Sequence, residues 1–432
     1  MTGKAELKYV RQAEAPEDAP PVAVRAGDLV FVGGQMPVHP LKGVPDDTRL
    51  HKGMPYHGSL IEKQLRYLYN TLDGHLAEVG TSLKHILKIN SFHRHGEDVD
   101  MALRVRREWF DHDMPPPSTL VFTPELPARD ARVLIDLVNL AIDAARPMTA
   151  VTVTKSPPIA QVKSIGWAVF SQVLKGGGFV FTRGTTAHNQ DGPLPEIQPD
   201  APFPYRYDQV QFQLRYEMER MKDLLEDAGA SMSDVVRAEI HLTDMTDLAA
   251  VDEVWAEYFP KDPPARVVIP VPLVVVPMRI ETELVAVDPK GPYRKEIIKA
   301  KGVPVPLSPE SQAVKAGPYV FLSGQMATDY ETGLAPAAQV RPGFPYHANA
   351  ARLQAEYILD NVEALCRAAG TSTANLVKRR VHHTDLRDMP RAEAAWRARL
   401  GDRVPPTSFF RTSGPLPVPS CTVQYDLIAY AP

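Results

Sequence analysis

The segment Pro263-Pro264-Ala265-Arg266-Val267-Val268-Ile269 sets one cation at the head of an apolar run. Glu281 follows that arginine by fifteen residues, within Ile280-Glu281-Thr282-Glu283-Leu284-Val285-Ala286. Both runs read as strands, and strand alternation puts Glu281 and Glu283 on one face. A guanidinium grips a carboxylate through two parallel hydrogen bonds, and a glutamate beside it can orient water or shuttle a proton. One reading of the pair is an anchor for a carboxylate-bearing molecule with a proton-transfer group next to it. The competing reading is a surface ion pair, worth only ~0–1 kcal/mol.

The elements that must hold these residues are written three times. Gly27-Asp28-Leu29-Val30-Phe31-Val32-Gly33-Gly34-Gln35-Met36 returns as Gly177-Gly178-Phe179-Val180-Phe181-Thr182-Arg183-Gly184 and as Gly317-Pro318-Tyr319-Val320-Phe321-Leu322-Ser323-Gly324-Gln325-Met326. Gln64, Gln213 and Gln354, each with a tyrosine three positions on, open one helix. Gly80, Gly229 and Gly370 end it. The period is the size of a domain, so these are tandem modules and not solenoid units. Their expected bounds are 1–147, 148–290 and 291–432. The first helix of each module carries a 3.6-residue apolar stripe, such as Ile61, Leu65, Leu68, Leu72, Leu76 and Val79. A strand, a second helix and two closing strands follow, giving β-β-α-β-α-β-β with room for one or two further short strands near each start. Cys366 falls on the stripe position of Leu76 and Leu225, so it reads as a small apolar residue and not a catalytic thiol.

The 48 basic and 52 acidic residues give a formal charge of −4, which supplies no general attraction to nucleic acid or an anionic membrane. Two cysteines exclude a disulfide framework, and no apolar run reaches the length of a membrane span. A soluble, cytoplasmic protein handling small molecules is expected. No Walker loop or dinucleotide-binding glycine pattern occurs, so no cofactor is implied. The neighbours His382 and His383 point to opposite strand faces and cannot share a metal, and Lys378-Arg379-Arg380 reads as a solvated strand edge.

Ser311-Gln312-Ala313-Val314-Lys315-Ala316-Gly317, the strand ending Ser323-Gly324-Gln325, and Pro263-Pro264-Ala265-Arg266 together resemble the RidA/YjgF family of enamine and imine deaminases. The resemblance covers nearly the whole chain, as three copies. It implies an α+β fold of RidA-like (chorismate-mutase-like) modules, closed into an intrachain pseudo-trimer with inner sheets, outer helices and a cleft at each module boundary. It also implies that Arg266 clamps a substrate carboxylate, that Glu281 assists water attack on the imine carbon, and that Ser323-Gly324 holds the polar end. The arginine position reads Ser118 in module one and Ser408 in module three, and the strand-glutamate position reads Asp136 and Gln424. The family's serine position reads Gly33, Arg183 and Ser323, its tyrosine position Pro20, Phe170 and Glu310, and Asp252 takes the helix position in module two. Either Ser323 of module three completes the Arg266 cleft, or Arg183 joins Arg266 in a paired-arginine pocket suited to a dicarboxylate. The loops at Tyr56, Tyr205 and Tyr346 are either lids over an enlarged cleft or proline-stiffened surface turns.

The expected activity is cofactor-free hydrolysis of an imine or enamine bearing a carboxylate, at one inter-module cleft holding Arg266 and Glu281. The alternatives are a non-catalytic metabolite-binding protein and a ring-opening amidohydrolase of the cyanuric acid hydrolase/barbiturase type. No nucleic-acid or membrane partner is expected, and the pseudo-trimer is complete in itself, with further homo-oligomers left open.

Overall fold

The computed structural model describes residues 7–110, 112–155, 170–189, 192–194, 197 and 208–432. Module one runs β1 (Lys8–Val10), β2 (Ala23–Ala26), β3 (Leu29–Gln35), α1 (Leu60–Glu78), β4 (Ile86–His93), α2 (Val99–Trp109), β5 (Ser118–Phe122) and β6 (Val133–Leu140). Module two runs β7 (Thr149–Ala150), β8 (Val173–Gly176), β9 (Phe179–Thr182), a small hairpin β10 (His188–Asn189) and β11 (Gly192–Pro193), α3 (Gln209–Asp227), β12 (Val235–Leu242), α4 (Leu248–Tyr258), β13 (Ala265–Pro270) and β14 (Ile280–Val287). Module three runs β15 (Lys295–Ile298), β16 (Ala313–Ala316), β17 (Tyr319–Leu322), α5 (Ala350–Ala368), β18 (Leu376–His383), α6 (Met389–Leu400), β19 (Thr407–Arg411) and β20 (Val423–Tyr430).

Each module builds one six-stranded sheet, and the three share an order: β1-β2-β3-β6-β4-β5, β7-β8-β9-β14-β12-β13 and β15-β16-β17-β20-β18-β19. The last pair in each order is parallel, because a helix crosses over between its strands. Ser59, Asp208 and Asn349 cap α1, α3 and α5 by accepting a backbone N–H. Gly80, Gly229 and Gly370 lie at φ +79°, +79° and +80°, the left-handed exit that a residue with a Cβ resists. The apolar stripes pack on the outer face of their own sheets, with Cys366 among them, fully buried.

The inner faces of the three sheets meet in shared cores. One brings together Phe31, Phe179, Phe181, Tyr319, Phe321 and Tyr430, and another Phe92, Val121, Val267, Ile269 and Phe410. Between them lies a layer of charge. Lys88 of module one pairs with Glu283 of module two at 2.9 Å, Arg237 of module two with Asp426 of module three at 2.6 Å, and Lys378 of module three with Asp136 of module one. Arg380 bridges Asp136 at 3.1 Å and also bonds Glu239. The ring of pairs therefore closes within one polypeptide. Lys378, Arg379 and Arg380 are 3%, 0% and 3% exposed, which overturns their reading as a solvated strand edge. Burial alone would push Asp136 up, but Arg380 and Lys378 outweigh it and hold it below the usual carboxylate range.

Candidate functional site

Each module docks the start of one edge strand onto the next module. Gly184 N–H donates to Ser118 O at 3.1 Å, and Gly324 N–H to Arg266 O at 3.0 Å. Three interfaces result: module one with two, two with three, and three with one.

The interface of modules two and three encloses a cavity of 260 Å³ lined by Leu248, Asp252, Arg266, Glu310, Gly324, Tyr330 and Gln424, among others. Arg266 is 1% exposed at its floor. Its Nη2 donates to Asp252 Oδ1 at 2.7 Å and its Nε to Glu310 Oε2 at 3.1 Å, while the guanidinium carbon sits 5.5 Å from the Trp255 ring centroid. Its Nη1 is buried without a partner. Burial pushes Glu310 up to about 7, although Arg266 pulls the other way. Asp252 also accepts from Ser308 Oγ at 2.6 Å. Ser323 lies at this interface, as expected, but its hydroxyl accepts from Arg266 N–H at 2.9 Å and donates to Ser311 O at 2.5 Å. The backbone N–H groups of Ser323 and Gly324 are bonded to Gln312 O and Arg266 O. The first bond lies within module three and the second locks the seam with module two, so neither donor is left to hold a substrate's polar end.

Glu281 is not in this cavity. On β12, Ala238 pairs with both Arg266 and Leu284, whereas Glu281 pairs with His241, three residues further on. Arg266 and Glu281 therefore lie two strands apart and on opposite sheet faces, so the expected Arg266–Glu281 cleft does not form. The residue equivalent to Glu281 in the Arg266 cavity is Gln424, which pairs with His382 and packs over Gly324.

Glu281 instead sits between modules one and two, 8% exposed, against Gly184, where any Cβ would overlap its carboxyl, and near Thr119. Burial pushes it up to about 8, Glu283 adding to the rise and Lys88 and Arg183 opposing it. Arg183 belongs here too and does not join Arg266. It donates to Gly184 O at 2.7 Å, lies 6.0 Å from the Phe170 ring centroid, and leaves Nε and Nη2 buried without partners. Burial, then Arg220, pulls it down to about 9. Phe170 thus belongs to this interface and not to the Arg266 cavity. Glu217 on α3 is buried on the same helix face as Gln213 and Arg220, and burial raises it well above its usual range although Thr282 opposes the rise.

The third interface corrects one alignment. Arg379 N–H donates to Pro406 O and pairs with Thr407, as Ala238 pairs with Arg266, so Thr407 and not Ser408 takes the arginine position. Ser408 points the other way and donates to Asp136 Oδ2. In module one the same register puts Leu134 at the Glu281 position, while Asp136 corresponds to Glu283 in the charged ring. Tyr56 and Tyr346 are 94% and 96% exposed, so their loops are surface turns and not lids, and Tyr205 lies outside the described residues.

Among the described residues no helix is long and apolar enough to cross a membrane. The sequence profile of the family described as Endoribonuclease L-PSP matches residues 14–141, 163–288 and 302–431. A RutC family protein of Pyrococcus abyssi is 35% identical over 117 residues, covering 27% of this chain and 84% of that protein. The mitochondrial protein mmf2 of Schizosaccharomyces pombe is 30% identical over 134 residues, covering 30% of this chain and 97% of that protein. The crystal structure of RidA from the Antarctic bacterium Psychrobacter is 31% identical, with TM-score 0.26, covering 31% of this chain and 98% of that one. The E. coli TdcF structure with bound serine is 28% identical, with TM-score 0.27, over 31% of this chain and 98% of its own. Three profile matches that span most of the sequence, each backed by a fold repeated in the same strand order, make this chain a member of the Endoribonuclease L-PSP family, the family of the RutC and RidA proteins, with three copies of its domain in one polypeptide.

Proposed function

We propose that the cavity between modules two and three hydrolyses the C=N bond of a small imine or enamine that carries a carboxylate, without a cofactor. One observation carries the reading: a carboxyl whose affinity for protons is tuned to about pH 7, Glu310, lies 3.1 Å from a buried arginine on the wall of a 260 Å³ cavity. A proton-transfer group works best when its pKa is near the working pH. Arg266 keeps Nη1 for an incoming carboxylate, while Asp252 and Trp255 fix the guanidinium plane.

Protonated Glu310 gives its proton to the imine nitrogen, and water adds to the carbon, returning a proton to Glu310. Glu310 then protonates the amine of the carbinolamine. Ammonia leaves as the hydroxyl loses its proton to Glu310, so imine and water become ketone and ammonia. The role first expected of Glu281 passes to Glu310, from the neighbouring module.

The test is ammonia release from freshly generated 2-iminoacids of varied side chain. Glu310→Gln should lower turnover by ~10²–10⁴-fold, the usual worth of a general acid-base group, and leave binding of the ketoacid product within a few-fold. Arg266→Ala should weaken binding as well. Wild-type protein that binds such acids without accelerating release would make the cavity a metabolite-binding site instead.

A further inference from the structure

Module one holds a second cavity, of 620 Å³, lined wholly by its own residues around the start of α1, the end of β4 and the start of β6. Its walls carry Arg49, Lys52, Arg94, Arg129 and Arg132 against two lining carboxylates, Asp46 and Asp130. Arg49 is held by Asp130 at 2.9 Å, and Arg132 by Asp98 at 3.3 Å. Lys52, Arg94 and Arg129 have no ion-pair partner among the described residues. The cavity has the volume of a small-molecule site and an excess of uncommitted positive charge.

Two positions at the end of β4 set module one apart from the other two. Arg94 N–H donates to Arg132 O at 2.9 Å, Thr243 N–H to Arg279 O at 2.9 Å and Thr384 N–H to Thr422 O at 3.1 Å. These bonds fix Arg94, Thr243 and Thr384 as one position, and the next position reads His95, Asp244 and Asp385. Asp244 and Asp385 each cap the following turn by accepting a backbone N–H, whereas His95 makes no such bond. An Asp cap is worth roughly 1 kcal/mol. Module one has lost that local stability and reversed the charge at the cavity mouth, a departure from local rules of the kind that marks functional positions.

We infer that this cavity is an anion site, separate from the module interfaces, that binds a compact phosphate-bearing small molecule on Arg94, Arg129 and Lys52. An arginine matches phosphate oxygens through forked hydrogen bonds, and lysine adds a mobile point charge. The test titrates inorganic pyrophosphate, with citrate as a carboxylate control, into the full chain by calorimetry at low ionic strength. Arg94→Thr combined with His95→Asp installs the residues that modules two and three already carry in the same backbone frame, and Arg129→Ala is a second, independent variant. One pyrophosphate per chain should bind, at least tenfold more weakly to each variant and more tightly than citrate, while ammonia release by the Arg266 cavity stays unchanged. No binding at millimolar pyrophosphate, equal affinity in wild type and both variants, or citrate binding as tightly as pyrophosphate would each overturn the assignment.

Discussion

Replacing Glu281 by glutamine should stabilise the protein, and only at a pH where the unfolded chain is ionised. In the fold, burial and then Glu283 raise this carboxyl from 4.5 to about 8, with Lys88 and Arg183 too weak to reverse the rise. The charged groups facing it are Glu283, Lys88, Arg183 and Glu217. Below pH 4.5 the carboxyl is protonated in both states and contributes nothing. Between 4.5 and about 8 the folded state holds the proton while the unfolded chain releases it, so stability falls as pH rises, by roughly 1.4 kcal/mol per unit. The full penalty, on the order of 5 kcal/mol, is present above pH 8. Glutamine keeps the shape and removes the charge. With an unfolding entropy of about 0.9 kcal/mol/K for a chain of this length, the gain amounts to about 5 °C in Tm. Scanning fluorimetry of both proteins from pH 4 to 9 reads it as a difference that opens upward from pH 4.5 and levels near 8, while titrating groups that do not face Glu281 cancel. A difference that is flat with pH, or a variant less stable than wild type at pH 8.5, would refute the assignment of Glu281 as a neutral buried acid.

Other expectations follow from the same geometry. Arg237→Met takes from Asp426 its pair at 2.6 Å, leaving Arg380 at 3.7 Å, and from Glu239 one of its two arginines, and should cost about 3–5 kcal/mol, read as the loss in Tm. Adding Asp426→Leu should recover much of that loss, because removing both partners of a buried pair is nearly neutral. The rate of ammonia release should change with an apparent pKa near 7, falling above it as Glu310 gives up its proton, and Glu310→Gln should erase that limb from its residual activity. Leu365→Ala, which empties a fully buried site on α5, should cost about 2–5 kcal/mol without altering substrate binding.

The threefold repeat, the helix stripes and their glycine exits were legible because they are local: a period of 3.6 residues and a recurring string suffice. What escaped depends on partners far apart in sequence. Lys378-Arg379-Arg380 looks like a solvated run until Asp136, 242 and 244 residues away, and Glu239, 141 away, are brought against it. A signal was present in the repeats, since Lys88, Arg237 and Lys378 align with one another, as do Asp136, Glu283 and Asp426 on the paired strand. Arg266 and Glu281 share a module and a plausible spacing, but their side-chain faces follow from sheet register, which a fifteen-residue interval does not specify. The Pro-Pro pair before Ser408 misled for the same reason, because the strand pairs one residue earlier than the prolines suggest. Glu310 stood at a recognisable position, yet its role depends on burial beside an arginine of another module.

The small residues at the arginine positions of modules one and three do not leave those interfaces without a cation. In module two Ala238 is the small partner and Arg266 the large one across β12 and β13. In module three the sizes are exchanged. Arg379 extends from β18 over Thr407, donates to its hydroxyl at 3.1 Å and to Glu393 at 2.5 Å, and lies 4.6 Å from the Trp396 ring centroid. Its Nη1 is buried without a partner, as is that of Arg266. In module one the cation comes from α2, where Arg106 reaches Ser118 at 2.8 Å and Ser91 at 2.6 Å. At the arginine position itself, a guanidinium is thus supplied by three different elements: β13, β18 and α2. Arg379→Ala alone should cost about 3–5 kcal/mol by stranding Glu393. Thr407→Arg alone should overpack the site at about 1–3 kcal/mol. The double variant reproduces the Ala238/Arg266 arrangement and should be more stable than Arg379→Ala alone. Thermal melts of the three proteins decide the matter, since losses that simply add would show that the two positions do not share one arginine-sized space.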